Sequence, residues 1–352
     1  LYSFEDMKGI PLSILAQLFG LITRIRNYCY DKAWLKSFSF AQKNVVVVGN
    51  LAVGGTGKSP FVNYLLQHWP EEASPVVLSR GYGRKTKGFI WANTHETAER
   101  IGDEPLTYRL QFPKISIALG ENRVDAIQRI LFEKPSTNSI LLDDAFQHRA
   151  LKASLNIVCT TYQRPFDQDE LLPKGRLREG IEGIKRAHAI VMNRCPKDIT
   201  KAEMNQIRFR FQTIAQWEIP VFFTGIIYGS PTGSEGNSLD HILKWSAIAG
   251  IAHPELFFQQ IADQFDLMDC QTFPDHYQFS SNDLDRFEAK AAQMPENHGY
   301  ITTFKDYVRL MPNLKKLPQL NKKLGYLPMQ IYFIDQETEF LQWFAAELQK
   351  NK

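Results

Sequence analysis

Five residues, Val45-Val46-Val47-Val48-Gly49, run into Asn50-Leu51-Ala52-Val53-Gly54-Gly55-Thr56-Gly57-Lys58-Ser59-Pro60, and an amphipathic pattern follows as far as Trp69. A β-branched run of this kind reads as a strand covered on both faces. The glycines let the next stretch of backbone wrap an anion with its N–H groups inward, and the helix behind it aims its positive end at the same anion. In such a loop the lysine, Lys58, reaches the β- and γ-phosphates of a nucleoside triphosphate and the hydroxyl of Ser59 binds Mg²⁺. Gly54, Gly55, Thr56, Gly57, Lys58 and Ser59 are therefore the candidate nucleotide-binding residues. The strict pattern carries glycine where this chain has Ala52. The bland alternative, a glycine-rich turn with an exposed lysine, does not account for the strand before it and the helix after it.

The rest of the chain repeats the alternation. Apolar runs at residues 76–78, 115–119, 140–142, 155–158, 189–192, 221–223, 247–249, 300–303 and 331–333 read as buried strands. Helical patterns lie between several of them, at residues 60–69, 123–132, 254–265 and 282–293. That order predicts an α/β chain with a P-loop NTPase-like, mostly parallel sheet flanked by helices. The turn-rich segment at residues 228–237 marks a boundary, giving a P-loop core at residues 37–230 and a smaller C-terminal α/β lobe at residues 231–352. No internal repeat or heptad pattern interrupts this plan.

The sequence has 352 residues and a formal net charge of +3, too small an excess to point to nucleic acid. Its four cysteines, Cys29, Cys159, Cys195 and Cys270, form no Cys-x-x-Cys pair, so neither a zinc site nor a disulfide framework is expected. The longest apolar run, residues 10–22, spans 13 residues. That is short of the ~20 needed to cross a bilayer. With Arg24, Arg26 and Lys32 behind it, it fits a helix lying in a membrane interface and an ordinary core helix equally well.

Other polar centres sit at strand ends. Asp143-Asp144 closes an apolar run, where carboxylates of a phosphate-loop sheet manage Mg²⁺ and the attacking group. Gly102-Asp103-Glu104-Pro105 opens a helix and reads on its own as simple capping. His253 lies between a strand and a helix. Ser79-Arg80-Gly81-Tyr82-Gly83-Arg84-Lys85 is either a second anion site, with Arg80 a substrate contact, or a solvated basic loop. Asp275-His276 and Lys305-Asp306 read as loop stabilisation. Asn193-Arg194-Cys195-Pro196 follows a strand but lacks the aspartate of a guanine-reading motif, which argues against a P-loop GTPase.

These segments occur in a recognisable order. VGNLAVGGTGKSP, SRGYGRK, GDEP, LLDDAFQHR, LLPKGRLRE, AIAGIAHPELFF, FPDHYQF and TFKDYVRL resemble the successive motifs of the tetraacyldisaccharide 4'-kinase family, the lipid A 4'-kinases. The resemblance implies transfer of the γ-phosphate of ATP, with Mg²⁺, to the 4'-hydroxyl of a tetraacylated disaccharide 1-phosphate, yielding lipid IVA. It implies a peripheral enzyme at the cytoplasmic face of a Gram-negative inner membrane, touching that surface through residues 1–36, with no nucleic acid and no obligate protein partner. By the same resemblance Asp103 is a catalytic aspartate with His253 beside it. Asp143 and Asp144 lie near Mg²⁺ and the acceptor, and Glu104, Arg123, Gln147 and Arg176 are functional polar positions. Ala145, Ser59 and Phe304 stand where the family usually carries Gly, Thr and Glu, and none of these changes removes a proposed chemical group.

Overall fold

The computed structural model describes residues 11–70, 74–93, 95–234 and 239–350. The first ten residues of the N-terminal region, Ile10 included, and part of the turn cluster at residues 228–237 lie outside the described residues.

The first lobe begins with helix α1 (Leu12–Asp31) and strand β1 (Asn44–Gly49). Helix α2 (Lys58–Gln67) follows the glycine loop, then β2 (Val76–Ser79), β3 (Ile90–Trp91), the short α3 (Ala98–Ile101) and α4 (Asp103–Gln111). Next come β4 (Ile117–Leu119), α5 (Arg123–Glu133), β5 (Ser139–Asp143), β6 (Leu155–Thr161), β7 (Ala189–Asn193), α6 (Lys201–Ala215) and β8 (Val221–Tyr228). The second lobe holds β9 (Lys244–Ala249), α7 (Pro254–Gln264), β10 (Asp266–Thr272), α8 (Ser281–Gln293), β11 (His298–Thr303), α9 (Phe304–Leu314), α10 (Pro318–Lys323) and β12 (Leu324–Leu327). The described chain ends with β13 (Met329–Phe333) and α11 (Glu337–Gln349).

Nine strands form one sheet in the order β13-β8-β7-β6-β1-β5-β2-β4-β3, and four form another in the order β10-β9-β11-β12. The large sheet is parallel except at its two edges, where β3 and β13 run antiparallel to their neighbours. β1 lies between β5 and β6, and its Val48 pairs with Asp143. The phosphate loop and the acidic pair therefore leave the sheet side by side at its carboxyl edge, where open α/β sheets bind ligands.

Why β1 carries four valines in a row is visible in the packing. Val45 and Val47 join the core on one face, with Ile127 and Ile130 of α5 and Phe211 of α6. Val46 and Val48 join the core on the other, with Phe61 and Leu65 of α2 and Phe340 and Phe344 of α11. Both faces are dry, so no polar alternation survives.

The second lobe is an insertion rather than the end of the chain. β13 pairs with β8, Ile331 opposite Ile226, and Phe340 of α11 stacks edge-on against Phe61 at 5.7 Å. Residues 329–349, grouped by the sequence reading with the C-terminal lobe, return to the core and seal the face that α2 covers. Sequence order alone does not show a strand rejoining a sheet it left a hundred residues earlier.

Only Ala16 and Thr23 of α1 are buried. Ile14, Leu18, Leu21, Ile22 and Ile25 fall on one helical face and are each more than half exposed. The helix is held at its far end, where Asn27 donates to Glu179 at 2.7 Å and Arg149 pairs with Asp31 at 2.6 Å. Among the described residues no helix is long and apolar enough to cross a membrane.

Candidate active site

A cavity of about 1620 Å³ opens between the two lobes and is lined from both. Its floor is the phosphate loop. Gly57 has φ = 81°, and a Cβ there would meet Asn193 at 2.7 Å, so glycine is required for both conformation and space. Asn193, at the end of β7, donates from Nδ2 to the Thr56 carbonyl at 2.8 Å and accepts at Oδ1 from Thr224 at 2.7 Å. Asn50 donates to Thr56 Oγ1 at 2.7 Å. The loop is thus fixed from behind before any nucleotide arrives.

The acidic pair splits into two electrostatic roles. Asp143 is buried, and its Oδ2 accepts from the Tyr108 hydroxyl at 2.8 Å. Burial, together with the nearby Glu104 and Asp144 charges and against the pull of Lys58, pushes its carboxyl up to about 7. Asp144 lies 3.7 Å from Lys58 Nζ and 2.8 Å from Arg178 Nη2. Burial pushes it up as well, but those two cations outweigh burial and hold it below the usual carboxylate range. Asp144 is ion-paired with two cations, whereas Asp143 feels Lys58 without pairing directly with it.

Asp143 Oδ1 is buried with no hydrogen-bond partner among the described residues. An orphaned carboxylate oxygen beside the phosphate loop fits a divalent cation, which would relieve both the desolvation and the mutual repulsion. No group of three His, Cys, Asp or Glu side chains converges as a metal cage among the described residues. Mg²⁺ sites of this type take one or two carboxylates and complete the octahedron with phosphates and water. Ser59 fits the hydroxyl position, and its Oγ lies 3.3 Å from Glu104 Oε1.

Across the cavity, the N-terminus of α4 presents Asp103. His276 Nδ1 is 2.8 Å from its Oδ2, and Arg309 reaches the same oxygen from Nη2 at 2.5 Å and from Nε at 3.1 Å. Burial pushes the Asp103 carboxyl up, but the hydrogen bonds from His276 and Arg309 and the charges of Arg309 and Lys305 win and hold it down at about 2. Lys305 Nζ lies 3.1 Å from His276 Nε2. An ammonium can only donate, so Nε2 accepts and Nδ1 carries the proton given to Asp103.

The family model described as LpxK, tetraacyldisaccharide-1-P 4'-kinase, matches residues 9–349. The chain belongs to that family. It is 40% identical over 346 residues to the tetraacyldisaccharide 4'-kinase of Flavobacterium johnsoniae, covering 95% of this chain and 96% of the relative. It is 37% identical to the tetraacyldisaccharide 4'-kinase of Cytophaga hutchinsonii over 344 residues, 96% of this chain and 95% of the relative. The crystal structure of an "apo" form of LpxK from Aquifex aeolicus in complex with ATP is similar with a TM-score of 0.74 at 27% identity, covering 96% of this chain and 98% of that one.

For this family member the structure brings all of the expected side chains except Arg176 to one cavity. Gly54 to Ser59, Arg80, Asp103, Glu104, Arg123, Asp143, Asp144, Gln147 and His253 all line it. The histidine bonded to Asp103, however, is His276 and not His253. His253 is the N-cap of α7, with no side-chain capping bond. Arg176, expected as a functional position, pairs through Nε with Asp169 at 3.2 Å. Its neighbour Arg178, two residues on, meets Asp144 and makes a very close contact with Asn50 Oδ1. Asp275-His276 and Lys305-Asp306, which read as loop stabilisation, belong to the Asp103 environment. The sequence did carry a signal for His276 and Arg309, since both lie inside segments that match the family order.

Proposed function

We infer that this chain is an ATP-dependent kinase of lipid A biosynthesis, moving the γ-phosphate of ATP to the 4'-hydroxyl of tetraacyldisaccharide 1-phosphate to give lipid IVA. The observation that carries this reading is the convergence on one cavity of the phosphate loop, the acidic pair and an anchored Asp103. Phosphoryl transfer needs positioning and charge neutralisation more than covalent chemistry, and these three features supply both.

The loop N–H groups and Lys58 hold the phosphates and take up charge on the transferring group. Ser59 and Asp143 are the residues that would hold Mg²⁺, which would neutralise charge developing on the phosphates. Asp103 orients the acceptor hydroxyl. As the 4'-oxygen bonds to the γ-phosphorus and the β–γ bridge breaks, the hydroxyl proton passes to Asp103 and ADP leaves. A carboxylate kept ionised across neutral pH is always ready to accept that hydrogen bond. His276, fixed in one tautomer by Lys305, keeps it aimed.

The acceptor carries four acyl chains and stays in lipid, so the enzyme works at the bilayer. The bare apolar face of α1, with Arg24 and Arg26 beside it, supports a peripheral position on an anionic surface, the cytoplasmic face of the inner membrane. Label from γ-labelled ATP tests the function: it should move to the glycolipid on a thin-layer plate. Label appearing as free phosphate instead would make the chain a hydrolase.

A further inference from the structure

Asp103 is gripped from the opposite lobe, and by one oxygen only. The Arg309 side chain is 1% exposed, and its Nη1 donates to Asp306 Oδ1 at 2.6 Å and to the Gly250 carbonyl at 3.1 Å. Asp306 is anchored in turn, its Oδ2 accepting from the Gly250 N–H at 2.9 Å and the Thr303 hydroxyl at 2.8 Å. Arg309 is therefore immobilised within the second lobe before it reaches α4 of the first. Around the pair, Val308 of α9 packs with Ile101, Leu106 and Leu119, an apolar seat that excludes water. Among the described residues, every side-chain hydrogen bond to Asp103 ends on Oδ2.

We propose that Arg309 is the positioning residue of Asp103: it pins Oδ2 from the second lobe and thereby leaves Oδ1 as the oxygen that takes the acceptor proton. This rests on the reading of Asp103 as the proton acceptor. A guanidinium suits the task because its fork serves Asp103 and Asp306 together, which a lysine ammonium cannot do in the same fixed geometry. The other charged or titratable groups around Asp103 are His276 and Asp275 from the loop after β10, Lys305 from α9 and Glu104 from its own helix, with the Tyr82 ring 5.6 Å from His276. Arg309 is the buried cation among them, so its removal leaves two carboxylates, Asp103 and Asp306, sharing a dry site.

The test is the pH dependence of kcat with ATP and the glycolipid in mixed micelles. Arg309→Gln should lower kcat about 10- to 100-fold, the size of effect expected when a reacting group is displaced by about an ångström. KM for ATP should stay near wild type, and the acid limb of the profile should move to higher pH as Asp103 loses its cation. Arg309→Lys should return the acid limb towards its original position without restoring full kcat. If Arg309→Gln does not fold, Asp306→Asn keeps the guanidinium but frees its anchor. It should lower kcat with the acid limb unmoved or moved down. An unchanged kcat and profile in the Arg309 variants, or a loss confined to KM for ATP, overturns the assignment. Asp103→Asn separates the two levels: wild-type turnover there removes the reading of Asp103 itself, whereas an inactive Asp103→Asn beside normal Arg309 variants removes only the positioning role.

Discussion

His276 and Asp103 come from different lobes, 173 residues apart in the chain, and meet at 2.8 Å. Replacing either therefore strikes the same step. Asp103→Ala is expected to lower kcat about 10²- to 10⁴-fold, the range of general-base assistance, while equilibrium binding of ATP persists. His276→Ala should lose at least about tenfold more kcat than His253→Ala. Steady-state kinetics paired with nucleotide titration checks both. A larger loss in the His253 variant would return that residue to the place beside Asp103.

Asp143 predicts a pH dependence with a defined sign. Its carboxyl is raised from 3.8 to about 7 in the folded chain, so between those values the folded state keeps a proton the unfolded state has released. Stability is then fully present at low pH and is lost as pH rises through that window. Without Mg²⁺ and nucleotide, the thermal midpoint of the wild type should fall relative to Asp143→Asn between about pH 5 and pH 8. Binding of Mg²⁺ with ATP should release a proton below neutral pH in the wild type alone. Parallel melting curves for the two proteins across that range would contradict the assignment.

Glu179 is fully buried and accepts from three neighbours: Asn27 at 2.7 Å, Gln147 at 3.0 Å and Arg186 at 2.8 Å. Gln147 also donates to the Asn50 carbonyl at 2.8 Å, so the carboxylate links α1 to the segment that opens the phosphate loop. Glu179→Ala removes one member of a buried pair and strands the Arg186 charge. Chemical denaturation should show a loss of about 3–5 kcal/mol. A loss under about 1 kcal/mol would mean that water reaches Arg186 freely, as it does in surface pairs.

Deleting residues 1–36 should release the protein from anionic vesicles in a sedimentation assay, because it removes the apolar face of α1 together with Arg24 and Arg26. Retention of the truncated protein on the vesicles would place the membrane contact elsewhere.

How much of this was legible beforehand depends on whether the signal was local. β1, its glycine loop and α2 were readable because strand, turn and helix chemistry occupy consecutive residues. β10 was not, since it is the edge strand of the small sheet and its residues alternate between exposed and half-buried. The return of β13 and α11 to the first lobe is a matter of long-range pairing. His253 and His276 each follow a strand, and nothing in their spacing tells which turns towards Asp103. Arg176 and Arg178 differ by two positions, and only the folded turn shows that one faces Asp169 and the other Asp144.

A phosphate carried from ATP to a sugar hydroxyl across one cavity leaves its record in the acceptor. The most direct measurement is the mass of the glycolipid after incubation of the full chain with ATP, Mg²⁺ and tetraacyldisaccharide 1-phosphate, with a phosphorus NMR spectrum to locate the addition. The product should be heavier by one phosphate, located at the 4' position, and none should form with Lys58→Ala. A glycolipid of unchanged mass beside a fully active reference enzyme would contradict this transfer.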